Sequence, residues 1–176
     1  MLELTSKFVA ERPRPVEVHG RLALPFERRQ RTRQRVRLAS GEEAAILLPR
    51  GEVMRGGDLL ESSDGRVIEV VAEAERLLHV TCASATELAR YAYHLGNRHA
   101  PVEVGDGWLR LALDHVLRDM LLGLGATVIE VEAPFEPEAG AYGAVHSHAV
   151  QVRTSRIHDF GARAPGPPSP TRGTPA

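Results

Sequence analysis

The sequence predicts an α+β protein: a small all-β N-terminal domain, then a ferredoxin-like βαββαβ domain, then a disordered C-terminal tail. Three observations carry that expectation. Turn signals and short alternating runs fill the first 74 residues, with no helical period among them. From residue 75, caps and glycine stops mark the order strand, helix, strand, strand, helix, strand. Beyond Val152 the chain runs into Gly161-Ala162-Arg163-Ala164-Pro165-Gly166-Pro167-Pro168-Ser169-Pro170, a composition unable to pack a core. The expected boundaries are 1–74, 75–150 and 151–176.

Each element has a local reason. Val16-Glu17-Val18-His19 alternates apolar and polar and predicts a strand. Val36 to Ala39 and Ala44 to Leu48 flank the turn signal Ser40-Gly41-Glu42, and Ser63-Asp64-Gly65 opens a hairpin before Val67 to Val71. Leu77 to Cys82 reads as a strand. Ser84-Ala85-Thr86-Glu87 is a capping box: the serine oxygen accepts a backbone N–H and the glutamate reaches back to the cap. The helix it starts carries Leu88, Ala92 and Leu95 on one face, and Gly96 supplies its stop. Pro101 to Val104 and Trp108 to Leu113 are strands around Gly105-Asp106-Gly107. Asp114 caps a second helix bearing Leu117, Met120, Leu121 and Leu124, which Gly125 ends. Thr127 to Val131 is the last strand, and regular structure fades after Pro134.

Composition narrows the function. Of 176 residues, 43% are hydrophobic and 26% charged, as in a soluble globular protein. A formal net charge of −1 argues against a dedicated nucleic-acid or membrane-surface binder. No apolar run approaches a membrane span, and Met1-Leu2-Glu3-Leu4 lacks the basic start of a signal peptide, so a cytoplasmic location is expected. A single cysteine, Cys82, rules out an intrachain disulfide framework and reads as a buried, inert thiol. Arginines fall on every second position at 31, 33, 35 and 37, which on a strand forms a solvated face. A sharper reading is a patch for an acidic partner or nucleic acid; near-neutral charge and the lack of interleaved aromatics weaken the nucleic-acid version.

The histidines are the chemistry-bearing feature. Tyr93-His94-Leu95-Gly96-Asn97-Arg98-His99 is answered about fifty residues later by His146-Ser147-His148. Imidazole is the side chain that nickel, copper and zinc favour. His99 follows the helix stop; alone it would be one ligand, but a two-fold axis beside it would make a pair. His146 and His148 are two apart, so in extended chain both project to one side and can chelate together. His94 lies on the last helical turn, where it suits the helix dipole. His115 falls in the first turn of the second helix, and His19, His79 and His158 have no partner in sequence.

Catalytic templates are missing: there is no His-Glu-x-x-His, no glycine-rich phosphate loop and no Gly-x-Ser-x-Gly elbow. Glu136 and Glu138 imitate an acid/base pair but lie in a proline-rich loop with no evident apolar pocket. No catalytic residue and no resident organic cofactor is therefore expected, and the chain reads as a metal holder, not an enzyme.

Four segments together carry a resemblance. Ser40-Gly41-Glu42-Glu43 with Leu47-Leu48-Pro49-Arg50-Gly51, then the Tyr93–His99 segment, then Asp114-His115-Val116-Leu117 with Met120-Leu121, then Pro134-Phe135-Glu136-Pro137-Glu138-Ala139-Gly140-Ala141-Tyr142-Gly143 resemble the urease accessory nickel chaperones, the UreE family. The match runs in order over about residues 16 to 148. It implies a homodimer paired through the C-terminal domains and His99 shared across the two-fold axis. It implies His146 and His148 as further ligands of Ni²⁺, with Zn²⁺ or Cu²⁺ able to compete. The implied role is delivery of Ni²⁺ to the urease apoprotein together with other accessory proteins, including a GTPase, and the N-terminal domain would serve partner or peptide binding.

Two departures qualify the match. The long histidine-rich tail of many members is replaced by Ala- and Pro-rich sequence with only His158, so high-capacity nickel storage is not expected. Leu113 stands where some members have a histidine two residues before the position of His115, so no peripheral site is expected there. The competing classes are a metal-dependent hydrolase with three histidines and a water, and an RNA-binding ferredoxin-like module for which Trp108 would be the stacking aromatic.

Overall fold

A six-stranded sheet and a four-stranded sheet, each with its own apolar core, make up the described structure, a computed structural model covering residues 1–8 and 16–139. The first sheet contains β1 (Leu2–Phe8), β2 (Gly20–Leu24), β3 (Arg33–Arg37), β4 (Glu43–Leu47), β5 (Leu59–Ser62) and β6 (Val67–Ala72). Its order is β2-β6-β5-β1-β4-β3. β1 runs parallel to β4 and β2 parallel to β6; the remaining pairs are antiparallel. The alternation of each strand sends one face inward, so Leu4, Leu22, Ile46, Leu60, Ile68 and Val70 are fully buried together with Met54. Full burial of such a side chain is worth about 1.5–3 kcal/mol, which makes this cluster the main support of the domain.

Three expectations change here. Residues 16–19 are not a strand; the paired segment starts at Gly20, although His19 does bond to Val67. β1 is a full strand of the sheet where no strand was expected. A single helical turn, α1 (Phe26–Arg29), also interrupts the β domain. Its N-cap Pro25 has no side-chain oxygen, so the turn is fixed from outside: Glu75 accepts from the Phe26 N–H at 2.6 Å.

The second half follows β7 (Ala74–Thr81), α2 (Ala85–Gly96), β8 (Glu103–Gly105), β9 (Trp108–Ala112), α3 (His115–Gly123) and β10 (Thr127–Pro134). The sheet order is β10-β7-β9-β8, all antiparallel, which is the ferredoxin-like arrangement expected. Leu78, Val80, Leu109 and Leu111 pack against Tyr91 and Leu95 of α2 and Leu121 of α3.

The helix starts follow the sequence. Ser84 Oγ accepts from Glu87 N at 3.2 Å, and Glu87 returns a bond to the Ala83 N–H, one residue before the cap, at 2.7 Å. Asp114 Oδ1 accepts from Val116 and Leu117 at 2.8 and 3.0 Å. Gly125, at φ +89, turns the chain out of α3 as expected. β10 continues three residues past its expected end, to Pro134.

Both sheets belong to one compact unit. Phe26, Leu77 and Phe135 form a small core of their own, with Val131 and Ala133 packed on it. The open face of the four-stranded sheet is covered there and bare further along, where Ile129 is exposed.

Candidate metal centre

The end of α2 is built around His99. Asn97, Arg98 and His99 donate backward to Tyr93, Leu95 and Gly96, and Ala100 N reaches Leu95 O at 3.4 Å. The last two bonds have the Schellman pattern, whose C′ residue is left-handed and usually glycine. Here that residue is His99, at φ +54, the one non-glycine residue with positive φ among those described. The helix stop is therefore His99 and not Gly96, because Gly96 keeps helical bonding and the chirality reversal comes three residues later. A left-handed L-residue costs roughly 1–2 kcal/mol, and such outliers gather at functional sites. The turn leaves the imidazole exposed at the corner of the domain. Arg98 braces it by donating to His94 O at 2.8 Å.

Beside this corner lies a groove of about 550 Å³ whose lining includes Arg98, Ala100, Pro101, Leu113, Asp114, Val116 and Leu117. Val116 is 60% exposed although it belongs to α3, where a buried face was available. Val116 therefore leaves apolar surface open along the groove.

The other histidines stand apart. His94 is half-buried in the last turn of α2, with its ring edge-on to Tyr93, and His115 is exposed at the start of α3. His19 Nδ1 accepts from Val67 N. His79 Nδ1 accepts from Arg110, and its pKa is lowered by burial and by the same guanidinium. Cys82 is buried as expected, and burial pushes its thiol up. Among the described residues no three His, Cys, Asp or Glu side chains gather to hold an ion. His146, His148 and His158 lie outside the described residues. Trp108 is engaged by its neighbours: Arg110 lies over the ring at 4.4 Å, and the indole fills the space where Gly105 has no Cβ.

A second cluster was missed from sequence. Arg29, two positions before the alternating arginines, is completely buried. It donates to Leu24 O, Met54 O, Phe135 O and Glu136 Oε1. Glu136 also accepts from Gly56 N at 2.7 Å and from Arg55 at 3.2 Å. Burial pushes the Glu136 carboxyl up, but the Gly56 N–H and the two guanidiniums outweigh it and hold the group below its ordinary value. Phe26 meets Phe135 edge-on at 5.5 Å beneath them. Glu136 is thus a structural anion, and Glu138 N bonds Val102 O at 2.8 Å, three residues from His99. The only sequence signal was the specific Pro-Phe-Glu-Pro-Glu run itself.

An all-β domain clasped to a ferredoxin-like domain, with a strained, exposed histidine at its corner, describes a two-domain α+β protein without a built cluster of metal ligands among the described residues. The description "UreE urease accessory protein, N-terminal domain" matches residues 8–73, and the corresponding C-terminal domain matches residues 75–161. The chain is 52% identical over 151 residues to the urease accessory protein UreE of Nitrosospira multiformis, covering 86% of this chain and 85% of that protein. It is 50% identical over 148 residues to the urease accessory protein UreE 2 of Pseudomonas syringae pv. syringae, covering 81% and 89%. It is 50% identical over 153 residues to the urease accessory protein UreE of Azotobacter vinelandii, covering 84% and 92%. The chain belongs to the UreE urease accessory protein family.

Proposed function

We propose that this protein is a homodimeric cytoplasmic carrier that delivers Ni²⁺ for assembly of the urease active site, acting with the urease apoprotein and its accessory proteins, including a GTPase. The observation that carries this reading is the left-handed, exposed His99 beside an apolar groove. One imidazole cannot hold an ion tightly. A second copy docked over Leu113, Val116 and Leu117 would offer a second His99 for the same ion, since a two-fold axis repeats every residue beside it. His146 and His148 then complete the ligand set. Imidazole suits Ni²⁺ and also Zn²⁺ and Cu²⁺, so competition among the three is expected.

Release is part of the function. The family supplies the destination, since urease accessory protein is the name its relatives carry. No helix among the described residues is long and apolar enough to cross a membrane.

Calorimetric titration of nickel, with mass measured by light scattering, tests the reading. A dimer is expected that binds one ion between two copies. His99→Ala should remain folded and lose tight binding. The His146→Ala/His148→Ala protein should bind more weakly or with altered stoichiometry. Unchanged binding by the His99 variant, or a strictly monomeric native protein, overturns the proposal.

A further inference from the structure

Four residues stand in one row straight across the four-stranded sheet. Ile129 of β10 pairs with His79 of β7, His79 with Arg110 of β9, and Arg110 with Glu103 of β8. Directly paired residues share a face. The helices pack on the opposite face, against Leu78, Val80, Leu109 and Leu111. The row therefore lies on the face turned away from them. Beside it stands a second row, Thr81, Trp108 and Gly105. A Cβ on Gly105 would collide with the indole, so the glycine is what lets the ring lie there.

The bonding within the row is one-sided. Arg110 Nε donates to His79 Nδ1 at 3.2 Å, and its guanidinium lies over the Trp108 ring at 4.4 Å. The His79 ring is 5.5 Å from the same indole. A guanidinium only donates, so Nδ1 carries no proton and His79 is neutral in this arrangement. Glu103 stands on the other side of Arg110. Its Oε2 is buried and has no hydrogen-bond donor among the described residues. An acceptor buried in that way is costly to leave unpaired.

We propose that Arg110 is a proton-operated arm, which donates to His79 while that imidazole is neutral and crosses to the Glu103 carboxylate when it is protonated. A proton taken from solvent at Nδ1 removes the acceptor. It also sets two cations in contact, which drives the guanidinium away. Glu103 is one strand over on the same face, about 4.8 Å across the ladder, so rotation about side-chain bonds is enough. There Arg110 meets an ion of opposite charge, and Glu103 Oε2 gains its donor. The charges that act on His79 are those of Arg110 and Glu103. Glu75, further along β7, is taken by the Phe26 N–H, and β10 offers the uncharged Ile129. Burial and the Arg110 guanidinium hold the His79 pKa below its ordinary value, and Glu103 opposes them. The arm therefore moves below about pH 6.5. None of these residues is a ligand in the carrier reading, so the two stand or fall separately.

Trp108 is the only tryptophan of the chain, so its fluorescence reads this part of the sheet alone. Titration of the full chain from about pH 8 to about pH 5 should show a single one-proton step below about pH 6.5. Its midpoint should match that of the His79 ring resonance in NMR spectra, and it should be the same in His99→Ala. His79→Gln should abolish the step. Arg110→Gln should raise the His79 midpoint and Glu103→Gln should lower it, each by about half a pH unit or more, with unchanged circular dichroism. Crystal structures at the two ends of the titration should place Arg110 on His79 and then on Glu103. Absence of the step, its survival in His79→Gln, midpoints that move in the same direction in the two other variants, or Arg110 still on His79 at the acid end would each overturn the proposal.

Discussion

Arg29 and Glu136 lie 107 positions apart in sequence and meet at 2.6 Å, with the guanidinium completely buried. This pair ties the all-β domain to the segment that follows β10. The charge of Arg29 is tolerable in the interior because a carboxylate and three carbonyls surround it. The clasp therefore depends on both partners, and most on the one that bears the opposite charge.

Glu136→Ala should lower unfolding free energy by about 3 kcal/mol, since it leaves a buried cation uncompensated. Glu136→Gln keeps an acceptor for Gly56 and should cost only about 1–2 kcal/mol. Urea denaturation checks both, and equal midpoints for the two variants would show that charge is not the issue.

The same carboxylate sets an acid limit. Its folded-state pKa is depressed, so its contribution to stability is fully present above the ordinary carboxylate value of about 4.3 and is lost as pH falls through the folded value. The native protein should thus lose stability more steeply below pH 4 than Glu136→Gln does. Thermal melting across that range measures the difference. Parallel pH profiles would remove Glu136 from the account.

Val116 is exposed on α3 and lines the same groove as Arg98 and Ala100, the sequence neighbours of His99. Val116→Asp should leave the fold intact and shift the protein toward monomer at micromolar concentration, because a charge placed in an apolar contact is desolvated without a partner. Light scattering reads the mass, and nickel titration should show tight binding lost together with the dimer.

Asp114 accepts two main-chain N–H groups at the start of α3. Asp114→Ala should cost about 1 kcal/mol of stability. Because α3 forms one wall of the groove, that variant should also weaken self-association more than Ser84→Ala, which removes the corresponding cap of α2 on a helix start remote from it. Sedimentation of the two proteins side by side distinguishes them.

The second half of the chain was legible because its signals are local. Ser84, Asp114 and Gly125 each act within one helical turn, so the ferredoxin-like order could be read directly. The first half is held by distant partners. β2 pairs in parallel with β6, 48 residues away, and nothing near Gly20 announces it; the alternation at Val16–His19 drew the strand too early. α1 exists because Glu75 and Phe135 hold it, and no residue of its own specifies it.

At the site, His99 was visible as a residue and its backbone was not, since Gly96 offered an obvious stop. Arg29 was hidden among arginines of identical type, because burial is decided by tertiary placement and not by spacing. Glu136 looked idle for the same reason: its partners, Arg29, Arg55 and Gly56, come from another part of the sequence.

The reversed turn at position 99 puts durability and purpose in opposition there. Glycine would fit that corner with less strain than the native side chain, so His99→Gly should raise stability while removing the imidazole that the proposed carrier role needs. If the carrier reading holds, a screen that ranks substitutions by heat resistance alone would discard the imidazole on which that reading rests.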